Sequence, residues 1–226
     1  MTQKPLETIQ IETAANPQAS VIWMHGLGAD GNDFVPIVQE LDLPSTPAVR
    51  FIFPHAPMQP VSINNGYVMR AWYDIRWGDL EGRSKQADEQ GVRASQAAIS
   101  DLVASEVARG IASKNIVLAG FSQGGAIALQ TGLRYASTLG GVMALSTYLP
   151  LAESLDREAT DANRNTPIFM AHGMQDNVVA YQMGTRSRDI LIERGYTVEW
   201  HEYPMQHSVC LEELAHIAAW LKRVLR

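Results

Sequence analysis

Leu118-Ala119-Gly120-Phe121-Ser122-Gln123-Gly124-Gly125 places a serine between glycines at the end of the apolar run Ile116-Val117-Leu118-Ala119. That run predicts a buried strand over 115–121, and Ala126-Ile127-Ala128-Leu129-Gln130 beyond it predicts a helix. A strand-to-helix turn this tight excludes side chains at Gly120 and Gly124 and lifts one hydroxyl, that of Ser122, clear of the sheet. It is a nucleophile elbow. The same turn leaves the Gln123 backbone N–H at a helix N-terminus, where partial positive charge can stabilise an oxyanion. The pattern Gly-x-Ser-x-Gly is weak by itself, and strand before with helix after is the context that gives it meaning.

Runs of strand length recur at about 6–12, 20–25, 49–53, 115–121, 140–146, 167–172 and 197–203. Helical patterns lie between and after them at 33–41, 88–109, 123–135, 181–194 and 209–225. Several central runs are apolar on consecutive residues, as a sheet covered by helices on both faces requires. The alternation predicts a doubly wound α/β architecture over 1–226 as a single domain, with a mostly parallel sheet of about seven strands. Ligands bind such sheets beyond the carboxyl ends of the strands. Residues 54–87 break the rhythm with Pro54, Pro57, Pro60, the turn Asn64-Asn65-Gly66 and the aromatics Trp72, Tyr73 and Trp77. An excursion of that length is either a wall that contacts substrate or a surface segment pinned by its aromatics.

A net charge of −6 with scattered Lys and Arg argues against a nucleic-acid partner and favours a neutral or apolar ligand. No window approaches the ~20 apolar residues of a membrane-spanning helix, so no stable membrane insertion is expected. Met1-Thr2-Gln3-Lys4-Pro5-Leu6-Glu7 lacks the apolar run of a signal peptide, which predicts a cytoplasmic protein. Cys210 is the single cysteine, so no internal disulfide forms, in keeping with a reducing compartment. It stands at the start of an apolar helix and reads as a packing residue. No His/Cys/Asp cluster has metal-ligand spacing, so no metal is expected.

A serine hydroxyl needs a base to take its proton and an acid to hold that base. In an α/β-hydrolase the chain order is Ser, then Asp or Glu, then His. Of the histidines after Ser122, His172 precedes the acid candidate, His201 lies inside a strand and His216 lies mid-helix. His207, in Pro204-Met205-Gln206-His207-Ser208 between the last strand and the last helix, can reach over the strand ends. For the acid, Asp176 follows a strand end in His172-Gly173-Met174-Gln175-Asp176-Asn177. Taken alone, it would also serve as a helix N-cap. A second oxyanion donor belongs in the loop after an early strand, and His25-Gly26-Leu27-Gly28 supplies the N–H of Leu27. The glycines at 26, 28 and 31 also fit a dinucleotide-binding loop, but Arg50 stands where that fingerprint requires an acid. His25 reads as a structural residue of the loop.

These segments, with Pro54-His55-Ala56-Pro57, Ala71-Trp72-Tyr73-Asp74-Ile75, Ala144-Leu145-Ser146 and Leu149-Pro150, closely resemble the phospholipase/carboxylesterase group of α/β-hydrolases. The resemblance implies an α/β-hydrolase fold without a large lid and a cofactor-free serine hydrolase, with triad Ser122, Asp176 and His207 and oxyanion donors Leu27 and Gln123. It implies a carboxylesterase acting on short- to medium-chain acyl esters, with acyl-protein thioesterase or lysophospholipase as the alternative. Tyr148 stands where some thioesterases carry tryptophan beside the acyl pocket, so acyl preference does not transfer. Met69, Trp72 and Tyr148 are the substrate-binding candidates, and apolar residues near the mouth could equally serve a membrane surface or a homodimer. A non-catalytic binding module on the same fold would lack a triad member, whereas all three candidates are present.

Overall fold

The computed structural model describes residues 5–43, 47–79 and 88–225. Its strands are β1 (Thr8–Glu12), β2 (Ala19–Met24), β3 (Val49–Pro54), β4 (Met58–Val61), β5 (Tyr67–Arg70), β6 (Ile116–Phe121), β7 (Gly141–Leu145), β8 (Ile168–Gly173) and β9 (Val198–Tyr203). The α-helices are α1 (Ile37–Glu40), α2 (Glu89–Ala108), α3 (Gln123–Gly132), α4 (Leu155–Glu158), α5 (Tyr181–Glu193) and α6 (Leu211–Val224).

Seven strands form one sheet in the order β1-β3-β2-β6-β7-β8-β9. All pairs are parallel except β1, which runs antiparallel to β3 at the edge. Side chains alternate between faces along a strand, yet β6 is apolar at consecutive positions because both faces are covered. Val117 and Ala119 join Trp23, Phe51 and Phe169 on the face closed by Ile37 of α1 and Trp220 of α6. Ile116 and Leu118 join Ile22, Ile52 and Met170 on the other face, closed by Ile99 of α2, Ile127 of α3 and Leu191 of α5. Burying each large aliphatic side chain contributes roughly 1.5–3 kcal/mol. Every residue of α3, the helix behind the elbow, is buried.

Three local departures from expectation have physical causes. The helix expected over 33–41 shrinks to α1, because Pro36 has no N–H to continue a helix from upstream and Asp30 Oδ1 instead accepts the Asn32 N–H at 2.8 Å. Within 54–87 the chain forms an antiparallel hairpin, β4–β5, closed by a short 3₁₀ turn at Ser62–Asn64 and by Asn65 at φ 55°. Residues 80–87 of that stretch lie outside the described residues. After β7 the polar stretch 152–163 carries α4 between two 3₁₀ turns, a helix that sequence pattern did not predict.

Candidate active site

The ends of β2, β6, β8 and β9 converge on the elbow. Ser122 sits between β6 and α3 at φ 55° and ψ −122°, a conformation that costs a non-glycine residue about 1–3 kcal/mol. Two close approaches hold it there. A Cβ on Gly120 would lie 2.3 Å from the Gly124 backbone, and one on Gly124 would lie 2.3 Å from the Met24 carbonyl. Only glycine lets β2, β6 and α3 meet this tightly. The Ser122 N–H donates to Leu145 O at 2.8 Å, and the Thr147 hydroxyl donates to Ser122 O at 2.6 Å. The Gln123 N–H, at the α3 N-terminus, has no acceptor among the described residues and so remains available to an anion.

Asp176 lies in the turn after β8. Its Oδ1 accepts the N–H groups of Val178 and Val179, each at 2.9 Å, and its Oδ2 accepts from His207 Nδ1 at 2.7 Å. Burial works to raise the Asp176 pKa, but hydrogen bonds from His172, His207 and Val178 outweigh it and hold the carboxyl well below its ordinary range. A carboxylate only accepts, so His207 carries a proton on Nδ1, the tautomer that leaves Nε2 to face away from Asp176 as the acceptor nitrogen. That ring packs on Phe121, the residue before Ser122, with centroids 4.7 Å apart. The structure thus joins Asp176 to His207 directly and sets the imidazole against the elbow, while the Ser122 hydroxyl makes no hydrogen bond among the described residues. Such contacts often tighten only once substrate is bound. The Asp176 and His207 loops are stitched together by Met174 N–H to Tyr203 O at 2.8 Å and Gln175 N–H to Met205 O at 3.0 Å.

The loop after β2 faces the elbow. His25 Nε2 accepts the Ala56 N–H at 3.0 Å, which puts the ring proton on Nδ1, 2.7 Å from Gly26 O. Burial lowers the His25 pKa to about 4, so the ring is neutral near pH 7 and acts as a fixed strut. The Gly28 N–H donates to Arg70 O at 2.9 Å, and the Leu27 N–H between these anchors has no acceptor among the described residues. Met69 is half-buried beside this loop, its sulfur 3.3 Å from Asn64 Nδ2.

A family model described as phospholipase/carboxylesterase matches residues 6–225. The chain belongs to the phospholipase/carboxylesterase family. It is 43% identical to acyl-protein thioesterase 1 of Neurospora crassa, over 93% of this chain and 89% of that protein. It is 34% identical to the carboxylesterase SOBER1 of Arabidopsis thaliana, over 91% of this chain and 90% of that one. The crystal structure of SOBER1 superposes with a TM-score of 0.85 at 32% identity, covering 92% of this chain and 99% of the other. The crystal structure of Zea mays acyl-protein thioesterase 2 gives 0.81 at 28%, covering 97% and 99%. With the mostly parallel seven-stranded sheet, this establishes the α/β-hydrolase fold.

Against this phospholipase/carboxylesterase framework the substrate-binding candidates occupy different places. Trp72 is 1% exposed and lies beneath the site rather than at its mouth. Its indole N–H donates to His25 O at 2.9 Å and its backbone N–H to Gln123 Oε1 at 2.7 Å. Among the described residues, the large exposed hydrophobic side chains of this excursion are Met58, Tyr67, Val68 and Trp77. Tyr148 shares a 2.9 Å hydroxyl–hydroxyl bond with Tyr73, and burial raises its pKa to about 12. Both tyrosines line a cleft of about 510 Å³ with Leu149, Leu151, Met183 and Ile190.

Two contacts escaped sequence reasoning. His172, set aside on chain order, places Nε2 at 3.4 Å from Asp176 Oδ2 and 2.9 Å from Val179 O. Gln123, singled out for its N–H, also uses its side-chain amide, with Nε2 donating to Tyr73 O at 2.7 Å. His172 could have been suspected from its place at a strand end four residues before Asp176. Nothing local marks the Gln123 amide, whose partners lie about fifty residues upstream.

Proposed function

We propose that this chain is a carboxylesterase that transfers short- to medium-chain acyl groups to water through an acyl-enzyme on Ser122. The observation that carries this is the 2.7 Å hydrogen bond from His207 Nδ1 to Asp176, in a ring packed against the residue that precedes Ser122. His207 Nε2 accepts the Ser122 proton as the oxygen attacks the acyl carbonyl, and Asp176 stabilises the imidazolium. The Leu27 and Gln123 N–H groups hold the oxyanion. His207 then protonates the leaving alcohol or thiol, and water repeats the cycle on the acyl-enzyme. The span 1–226 acts as a single domain, which the continuous sheet from β1 to β9 supports. Among the described residues no helix is long and apolar enough to cross a membrane. A cytoplasmic location, supported by the free thiol of Cys210, is part of the proposal.

Ser122→Ala is expected to abolish turnover of p-nitrophenyl acyl esters while leaving the circular dichroism spectrum unchanged. Wild-type-like turnover by that variant would reject the serine mechanism. Asp176→Asn should lower turnover by about 10⁴-fold, the size of effect that losing the correct imidazole tautomer has in serine hydrolases.

A second reading makes the substrate an S-acylated protein, favoured by the 43% identity to a protein named acyl-protein thioesterase 1. Matched esters and thioesters across acyl lengths, with a palmitoylated peptide beside butyrate esters, separate the two. Equal or better turnover of the peptide selects the thioesterase.

A further inference from the structure

The two oxyanion donors come from distant segments, Leu27 after β2 and Gln123 after β6, and an oxyanion is held well only if both point at one place. What holds the Leu27 loop is the excursion between β3 and α2. It takes His25 O through the Trp72 indole at 2.9 Å, the His25 ring through the Ala56 N–H at 3.0 Å, and the Gly28 N–H through Arg70 O at 2.9 Å. The excursion must itself be referenced to the elbow. Among the described residues, the two hydrogen bonds that join 54–79 to α3 are both made by the Gln123 side chain. Oε1 accepts from the Trp72 N–H and Nε2 donates to Tyr73 O, each at 2.7 Å. The amide orientation follows from the partners, since a backbone N–H only donates and a carbonyl only accepts. Gln123 is 2% exposed, so neither bond competes with bulk water. The Ser95 hydroxyl caps Trp72 O, completing the hold on that residue.

We infer that Gln123 and Trp72 form a positioning relay through which the residue that supplies one oxyanion donor also sets the place of the other. The relay runs from the Gln123 amide to the Trp72 backbone, through the Trp72 indole to His25 O, and along two peptide units to the Leu27 N–H. It rests on the serine-hydrolase mechanism proposed above and extends it. Gln123 thereby acts twice, as an oxyanion donor through its main chain and as a positioning residue through its side chain. Trp72 is a positioning residue that need not touch substrate.

The test uses Gln123→Met, which keeps side-chain length and the main-chain donor, and Trp72→Phe, which keeps an aromatic ring but removes the indole N–H. Concentrations of competent enzyme are set by active-site titration. Each variant should lose about 10–100-fold in kcat with KM nearly unchanged, the scale of a donor displaced rather than deleted. A trifluoromethyl ketone acyl analogue, which forms a tetrahedral adduct with the serine, should bind more weakly by the same factor. The double variant should be no worse than the poorer single one, because both changes cut the same relay. A role confined to folding would lower Tm and leave kcat per competent site intact, and that outcome overturns the inference. So do a loss confined to KM and additive losses in the double variant. If Gln123→Met does not fold, Trp72→Phe alone decides by its kcat and its affinity for the ketone. Turnover surviving in Ser122→Ala would remove the mechanism beneath the inference. Turnover lost in Ser122→Ala but intact in both relay variants would overturn the relay alone.

Discussion

His172 approaches the same carboxylate oxygen of Asp176, at 3.4 Å, that accepts the His207 hydrogen bond at 2.7 Å. Two imidazoles therefore share one oxygen, one facing the elbow and the other buried at 1% exposure. Since Val179 O accepts from His172 Nε2 at 2.9 Å, that nitrogen carries a proton and its field also favours the ionised acid. His172→Gln, which can present an N–H near the same point, should keep kcat within about threefold, whereas His172→Phe should lower it about tenfold. Equal kcat for wild type and His172→Phe, measured at saturating ester, would confine His172 to packing.

Gly173 brings the Asp176 and His207 loops into contact, because a Cβ there would stand 2.4 Å from both Met205 O and Gln206 O. Those atoms are backbone and cannot rotate away. Gly173→Ala should therefore push the His207 loop outward, lowering kcat about 100-fold for a displacement near 1 Å. Steady-state kinetics with a chromogenic ester checks this, and an undiminished kcat would show that the loop yields without moving the ring.

Glu213, in the first turn of α6, is 0% exposed, and among the described residues neither carboxyl oxygen makes a full hydrogen bond, the Cys210 backbone N–H offering only a minor opposing pull. Burial raises its pKa from 4.5 to about 8. A raised folded pKa means that its contribution is fully present below about 4.5 and is lost as pH climbs through about 8. Thermal melts should show wild-type Tm falling between about pH 5 and pH 8.5, with Glu213→Gln falling less and becoming the more stable protein at the upper end. Parallel curves would refute this.

His25 acts in the opposite sense. Burial depresses its pKa from 6.5 to about 4, so the unfolded chain takes up a proton that the folded chain refuses. The stability it contributes is present above about 6.5 and is lost as pH falls toward about 4. NMR should find a neutral ring with its proton on Nδ1 at neutral pH and a midpoint near 4. A midpoint near 6.5 would mean that the ring is solvated and the loop after β2 is looser than its hydrogen bonds to Ala56 and Gly26 imply.

How far the chain could be read without coordinates depended on whether local pattern and tertiary environment agreed. Strand β6 was legible because both faces of the sheet are covered, so Ile116 to Ala119 had to be apolar without a break. Hairpin β4–β5 was not, because its strands are largely exposed on both sides and carry Pro60, leaving no alternation to detect. Asp176 and His207 could be chosen from chain order and loop position, and the structure joins them by a hydrogen bond. Trp72 looked like a mouth residue because a polar loop surrounds it in sequence, but its place beneath the site comes from contacts with His25 and Gln123, about fifty residues away on either side. Partnerships at that separation leave no periodicity in a single sequence.

Helix α3 has no wet face: all ten of its residues are buried. An ordinary amphipathic helix tolerates change on one side and resists it on the other, so a saturation scan across it shows intolerance with a period near 3.6 residues. Across 123–132 the scan should instead show one unbroken band of intolerance, because every position contacts protein. Drift has nowhere to accumulate in the segment that aims the serine.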